Sequence, residues 1–239
     1  IALGVNTDAY QPVERQLEIT RRCLQVLQEC RHPVGIITKS ALIERDIDLL
    51  SAMAQARLAT AAITLTTLDH SISRTLEPRA ASPTRRLKTI EKLAQAGIPV
   101  LVSVAPVIPF ITEQELEKVM QAAANAGAMA AAYTVLRLPW EVNPLFQQWL
   151  ETHFPERAQR VMNRIRDMRG GKDYDANFAT RMRGEGLWAD MIRQRFGKAL
   201  KRYGLNKGGR FAELDCSQFR RPLQIPAAGS SSGQLDIFG

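Results

Sequence analysis

Across the first 150 residues, short apolar runs alternate five times with longer stretches of helical period, and no other feature restricts the fold as strongly. The apolar runs are IALGV (1–5), VGIIT (34–38), ATAAITLTT (59–67), IPVLVSVAP (98–106) and AAAYTVLRL (130–138). Residues 13–30 carry Val13, Leu17, Thr20, Leu24 and Leu27 at helical spacing, and 41–56 repeat the pattern through Leu42, Ile43, Ile47, Leu50 and Met53. A third helix is expected over 83–96, stopped by Gly97. Thr112, with Glu115 three residues on, is expected to cap a fourth helix through 125. A fifth is expected around 143–153. Five βα units in series imply an α/β fold with a parallel sheet and right-handed crossovers. The runs are mostly apolar on both faces, as buried parallel strands are. An open doubly wound sheet and a partial barrel both satisfy the pattern.

After about residue 150 the alternation ends. Residues 155–169 and 187–203 read as Arg-rich amphipathic helices, joined by the Gly-rich connector RGGKDYDANFATRMRGEG (169–186). The expected organisation is therefore 1–153 as the βα unit, 154–221 as a basic helical C-terminal extension and 222–239 as a flexible Gly/Ser-containing tail ending in LDIF. Charge follows the same division. Residues 151–221 hold 17 Lys and Arg against 9 Asp and Glu, whereas residues 1–150 hold 15 against 14. A localised positive field attracts phosphate-bearing partners, nucleic acid among them; the plainer reading is a solvated helical face.

No apolar run approaches the roughly 20 residues of a membrane span, and the opening residues lack a signal peptide's basic and apolar regions. The three cysteines, Cys23, Cys30 and Cys216, are sparse and odd in number, which fits a reducing cytoplasm. They form no CxxC pattern, so they are expected to be inert, mostly buried thiols and no metal ligand is expected within this chain. His32, His70 and His153 are far apart, which argues against a His-based triad or zinc site. Dinucleotide-binding, P-loop, GxSxG and HExxH patterns are absent.

In parallel α/β domains, ligands sit at the C-terminal strand ends. Those positions hold Asn6, Thr7 and Asp8 after the first run, Thr38, Lys39 and Ser40 after the second, and Thr64, Thr66 and Thr67 in the third. Arg137 ends the fifth and favours an anionic ligand. A Lys among hydroxyls can hold a carboxylate, a ribose or a phosphate. Arg181 and Arg183 sit beside glycines in FATRMRGEG, where the backbone could approach a phosphate closely. Arg193 and Arg195 would add a longer-range field, or instead pair with acidic residues of the barrel and fasten the extension.

The ordered set NTDAYQPVE (6–14), TR (20–21), ITKS (37–40), RDIDLL (45–50), LEPRAASPTRRL (76–87), APVIP (105–109) and LRLPWEV (136–142) resembles radical S-adenosylmethionine (radical SAM) proteins. More narrowly it resembles the spore photoproduct lyase-related, or DNA repair photolyase-like, group. FATRMRGEGLWADMIRQRF (178–196) and LDCSQF (214–219) are similar to the C-terminal extension of one branch. The resemblance implies a partial (β/α)6 TIM-like barrel whose first βα unit, bearing a CxxxCxxC loop for a 4Fe–4S cluster, is missing here. The chain begins at Ile1 inside an apolar run, so the cluster ligands are expected upstream of residue 1. By resemblance, Thr7 and Asp8 lie near the amino group of S-adenosylmethionine, Lys39 at its carboxylate and Thr64 near its ribose. Arg86 is placed with them, and Glu77 and Pro78 match motif positions of unassigned role. The implied function is reductive cleavage of S-adenosylmethionine at the cluster, supplied by an electron donor such as flavodoxin or ferredoxin, to start radical chemistry on a substrate that could be nucleic acid. The alternative is a noncatalytic nucleic-acid-binding α/β protein.

Overall fold

A computed structural model describes residues 1–206 and 213–221. Five strands form one sheet: β1 (Ala2–Leu3), β2 (Val34–Thr38), β3 (Ala59–Thr64), β4 (Val100–Val107) and β5 (Ala130–Val135). Every pairing is parallel and the spatial order is the chain order. In a doubly wound sheet the order reverses at a switch point. Here it never reverses, so right-handed crossovers put the helices on one face and leave the other concave. The choice between open sheet and barrel thus falls to the partial barrel.

The two faces differ chemically. On β4, Val100, Val102 and Val104 are buried towards the helices, whereas Leu101, Ser103 and Ala105 between them are half-buried. Register places Thr64 and Ala132 on either side of Ser103. A Cβ on Gly35 would meet the Thr60 hydroxyl at 3.4 Å, so that pair shares the concave face. Closed barrels fill this face with branched side chains. Here Gly, Ala, Ser and Thr line much of it and leave it open. The expectation of strands mostly apolar on both faces gives way on this face, where small and hydroxyl residues stand.

The helices between strands are α1 (Glu14–Leu17), α2 (Ile19–Glu29), α3 (Ile47–Gln55), α4 (His70–Leu76), α5 (Pro83–Gln95) and α6 (Leu116–Asn125). Their apolar stripes, with Leu24, Leu50, Ile90, Leu93 and Val119 fully buried, form the core against the sheet. The helix expected over 13–30 is broken at Glu18, which adopts left-handed backbone at φ 48°. Glu14 instead accepts the Thr20 amide at 3.1 Å and so caps α2 from a distance. Helix α4 was not anticipated. Asp69 caps it, accepting the amides of Ser71 at 2.6 Å and Ile72 at 3.2 Å. Thr112 does not cap α6: its hydroxyl donates to the Pro106 carbonyl at 3.0 Å. Glu115 accepts the Leu68 amide at 3.1 Å and the Thr67 hydroxyl, so the capping pair serves tertiary contacts.

Beyond the sheet lie α7 (Val142–His153), α8 (Pro155–Asp167) and α9 (Gly186–Arg202). Helix α9 lies on α6. Arg195 meets Glu117 through two bonds of 2.7 Å, Trp188 Nε1 donates to Glu113 at 3.0 Å, and Phe196 packs on Tyr133 of β5. The connector covers the outer edge of β5, where the Val135 amide donates to the Met182 carbonyl at 3.0 Å and Asn206 bridges Ala130. Residues 213–221 cross the opposite, N-terminal end of the sheet. Gln218 Nε2 donates to the Ala56 carbonyl, and the Arg220 amide to that of Cys30, both at 2.9 Å. The LDCSQF motif is thus a strap across the barrel bottom. The expected tail, 222–239 with its LDIF end, lies outside the described residues. No helix among the described residues is long and apolar enough to cross a membrane.

Candidate functional site

Only Gly fits at position 4: its φ is +87°, and a Cβ there would lie 2.0 Å from the Ile37 carbonyl oxygen. This close approach lays the loop after β1 over the end of β2. Asp8 then ties the two together. Its carboxylate accepts the Thr38 hydroxyl at 2.6 Å, the Tyr10 amide at 2.9 Å and the Lys39 amide at 2.9 Å. Thr7 is exposed and accepts Gln11 Nε2 at 2.7 Å.

The Lys39 ammonium lies 2.7 Å from Glu77, whose side chain is 8% exposed. The other Glu77 oxygen takes Arg86 at 2.6 Å, and the Thr66 hydroxyl donates to Glu77 at 2.9 Å. Burial opposes the charge on Glu77, yet Arg86 and Lys39 beside it hold its carboxyl below the usual carboxylate range. Arg86 is 1% exposed and all its nitrogens are engaged, Nε with the Ala81 carbonyl and Nη1 with the Thr64 carbonyl. The place that the resemblance gives Arg86 among groups facing the cofactor therefore fails. Arg86 is an interior cation that fixes Glu77. Thr64 is buried on the concave face of β3.

Lys39 reaches a cleft of about 780 Å³ whose polar lining includes Asp8, Gln11, Arg15, Arg79 and Arg85. This size suits a cofactor or small substrate. Arg85 is partly neutralised by Glu44, which also accepts Lys92 at 2.7 Å. Behind the cleft, fully buried Asp46 accepts Arg21 at 3.0 Å, Arg45 at 2.8 Å and the Tyr10 hydroxyl at 3.1 Å. The TR and RDIDLL motifs thus supply an interior ion knot that supports the loop after β1.

Arg137 lies elsewhere on the same sheet edge. It lies two residues beyond β5, three strands from Lys39, and its guanidinium approaches the Tyr174 hydroxyl at 3.4 Å and the Met182 sulfur at 3.7 Å. Arg181 stacks over exposed Phe178 at 3.5 Å, and Arg183 is exposed. The expected residues therefore divide into a cleft group on β1–β3 and a connector group at β5. Arg193 pairs with Asp190 of its own helix and Arg195 with Glu117, so Arg195 fastens the extension. Sequence reasoning missed Arg15 and Arg79 at the cleft. It also missed Arg169, 4% exposed, which donates to the Leu136 carbonyl at 3.0 Å and the Thr180 carbonyl at 3.1 Å. Its position at the mouth of a Gly-Gly connector was the available signal.

Cys30 is buried, but Cys23 and Cys216 are exposed, against the expectation of mostly buried thiols; Cys23 faces outward on α2. Among the described residues no group of three or more His, Cys, Asp or Glu side chains could hold a metal ion.

A sequence profile of the radical SAM superfamily matches residues 1–123. An uncharacterized protein of Mycobacterium tuberculosis H37Rv is 32% identical over 162 residues, covering 67% of this chain and 48% of that protein. An uncharacterized protein of Methanocaldococcus jannaschii is 25% identical over 158 residues, covering 66% and 58%. The chain thus spans about half the length of the curated relatives it matches. Among solved structures, a spore photoproduct lyase variant superposes with a TM-score of 0.51 at 14% identity, covering 81% of this chain and 55% of that one. At that identity the likeness speaks for the fold alone. With its singly wound parallel sheet and a profile match over more than half its length, the chain belongs to the radical SAM superfamily.

Proposed function

We propose that this chain forms the S-adenosylmethionine-binding part of a radical SAM enzyme whose substrate carries phosphate, nucleic acid being the favoured class. The observation that carries the cofactor reading is Lys39, an ammonium held at the cleft lip by a buried Glu77–Arg86 pair. The donor set fits: Lys39 and the Ser40 hydroxyl suit a carboxylate, and Arg15 and Arg79 add positive charge around it. S-adenosylmethionine, bound beside a reduced 4Fe–4S cluster, supplies hydrogen-abstracting radical chemistry. The described residues offer no ligand set for the cluster itself. This chain's part is to bind and orient. Asp8 fixes the loop by accepting the Thr38 hydroxyl and the Lys39 amide, and Glu77 restrains the ammonium. A donor such as flavodoxin or ferredoxin would supply electrons, and the free thiols suit a cytoplasmic setting.

Lys39→Ala in the full-length protein should weaken S-adenosylmethionine binding by about 1.5–3 kcal/mol, the range for a hydrogen bond to a charged group. Iron content should not change. Unaltered affinity in a titration would remove the assignment. A second reading, a noncatalytic nucleic-acid binder, is favoured by exposed Trp140 and by the Arg181–Phe178 stack, which resemble the base-stacking groups of single-strand binders. An iron–sulfur signature in the full-length protein separates the two.

A further inference from the structure

Six buried side-chain polar atoms lack a hydrogen-bond partner among the described residues, and three of them are the Nε atoms of Arg137, Arg169 and Arg181. Contacts to the residues beside them bring the chain segments of these three arginines together. Arg169 donates to the carbonyl of Leu136, adjacent to Arg137, and to that of Thr180, adjacent to Arg181. Arg137 in turn touches Met182, the residue after Arg181. Gly170 and Gly171, at φ 61° and 84°, turn the chain back over the end of β5.

Asp173 and Asp175 of this connector are engaged elsewhere. Asp173 accepts Arg166 at 2.7 Å and Asn143 at 3.0 Å. Asp175 accepts the Thr180 hydroxyl and the Asn177 amide, so its field reaches Arg169 without an ion pair. No salt bridge to Arg137, Arg169 or Arg181 occurs among the described residues. A buried guanidinium without a counter-charge is costly, and buried cations are ordinarily paired. Burial depresses the proton affinity of Arg169; the field of Asp175 opposes this and the nearby Arg137 adds to it.

We infer that the end of β5 and the connector form an oxyanion site in which Arg137, Arg169 and Arg181 together hold a phosphoryl group. Three guanidiniums facing the field of one Asp leave about two positive charges, which matches a phosphate better than a carboxylate. Guanidinium forks also suit phosphate oxygens geometrically. The Tyr174 hydroxyl, beside Arg137, adds a neutral donor. The site lies at the strand ends, where barrel ligands bind. It rests on the reading above only in assigning the phosphoryl group to the substrate, and its residues are separate from the Lys39 cleft.

The test titrates inorganic phosphate into the full chain by calorimetry at constant ionic strength. Saturable binding is expected. Arg137→Gln and Arg181→Gln should each weaken it about tenfold or more, whereas Arg74→Gln, exposed on α4, should not. Thermal unfolding without phosphate checks that each variant is folded. If either variant fails to fold, phosphate protection of Arg137 and Arg181 from phenylglyoxal, read by mass spectrometry on the unaltered protein, replaces it. Competition by a single-stranded trinucleotide identifies a nucleic-acid phosphate as the occupant; lack of competition identifies a free phosphate ester. Absent saturable phosphate binding, or equal binding in both variants with no protection of either arginine, would overturn the site. S-adenosylmethionine affinity should be unmoved in these variants, so this test and that of Lys39 fail independently.

Discussion

Arg86 and Glu44 show how charge is managed in the interior around the cleft. Arg86 is the largest fully buried side chain among the described residues, and Glu77 is its counter-ion. Removing one partner of such a pair leaves an uncompensated buried charge. Arg86→Met should therefore cost about 3–5 kcal/mol in denaturant unfolding. Glu44 lies beneath Arg85 on α5. Burial alone would raise its pKa, but hydrogen bonds from Arg85, Lys92 and Thr89 pull it from 4.5 to about 2. A carboxyl depressed in the folded state contributes stability above its unfolded pKa and loses it as pH falls through the folded value. The melting-temperature gap between the unaltered protein and Glu44→Gln should thus be constant above pH 4.5 and close progressively towards pH 2. A gap that persists at the acid end would show that the carboxylate charge is not the source. At this scale the sequence was half legible. Lys39 and Asp8 stood out because they follow apolar runs. The resemblance marked Glu77 and Arg86 as motif positions, but no spacing rule reveals that these two charges will be buried against each other.

Among the elements, α9 and the connector carry the basic excess to different ends. Arg195 clamps α9 to α6 through Glu117 and the Glu113 carbonyl, while Arg181 and Arg183 lie in the connector at the β5 edge. Arg195→Ala should lower thermal stability by about 1 kcal/mol or more, since the pair is half-buried rather than surface-exposed. It should leave the salt dependence of nucleic-acid binding unchanged. Replacing Arg181 and Arg183 together should do the reverse, reducing the slope of log affinity against log salt by roughly one to two units. Measuring both quantities on both variants checks the division. Charge counting located the basic segment correctly. It could not sort arginines that face Glu113 and Glu117 from those that do not, because that depends on where α9 docks.

For the whole molecule, the monotonic strand order makes a singly wound partial barrel whose concave face is lined by small residues and whose β5 edge is covered by the connector. Its three free cysteines do not converge with one another or with other ligands. Anaerobic reconstitution of the 239-residue chain with iron and sulfide is expected to give no stoichiometric cluster absorbance. A stable cluster lost on mutating Cys23 or Cys30 would contradict the reading of these thiols as non-ligands.

Hydrophobic period and turn residues marked the five βα units and hence the parallel sheet, and charge counting marked the basic C-terminal segment, because these depend on the local chain; α4 and the break at Glu18 escaped them. The ordered motifs determined the family. What only the tertiary structure decided are the one-sided winding, the open concave face, the meeting of Lys39, Glu77 and Arg86, and the way Arg169 ties together the segments that carry Arg137 and Arg181. Those groups come together across strands distant in sequence. Which polar atoms are left unpaired there depends on how every neighbouring carbonyl and carboxylate has already been engaged.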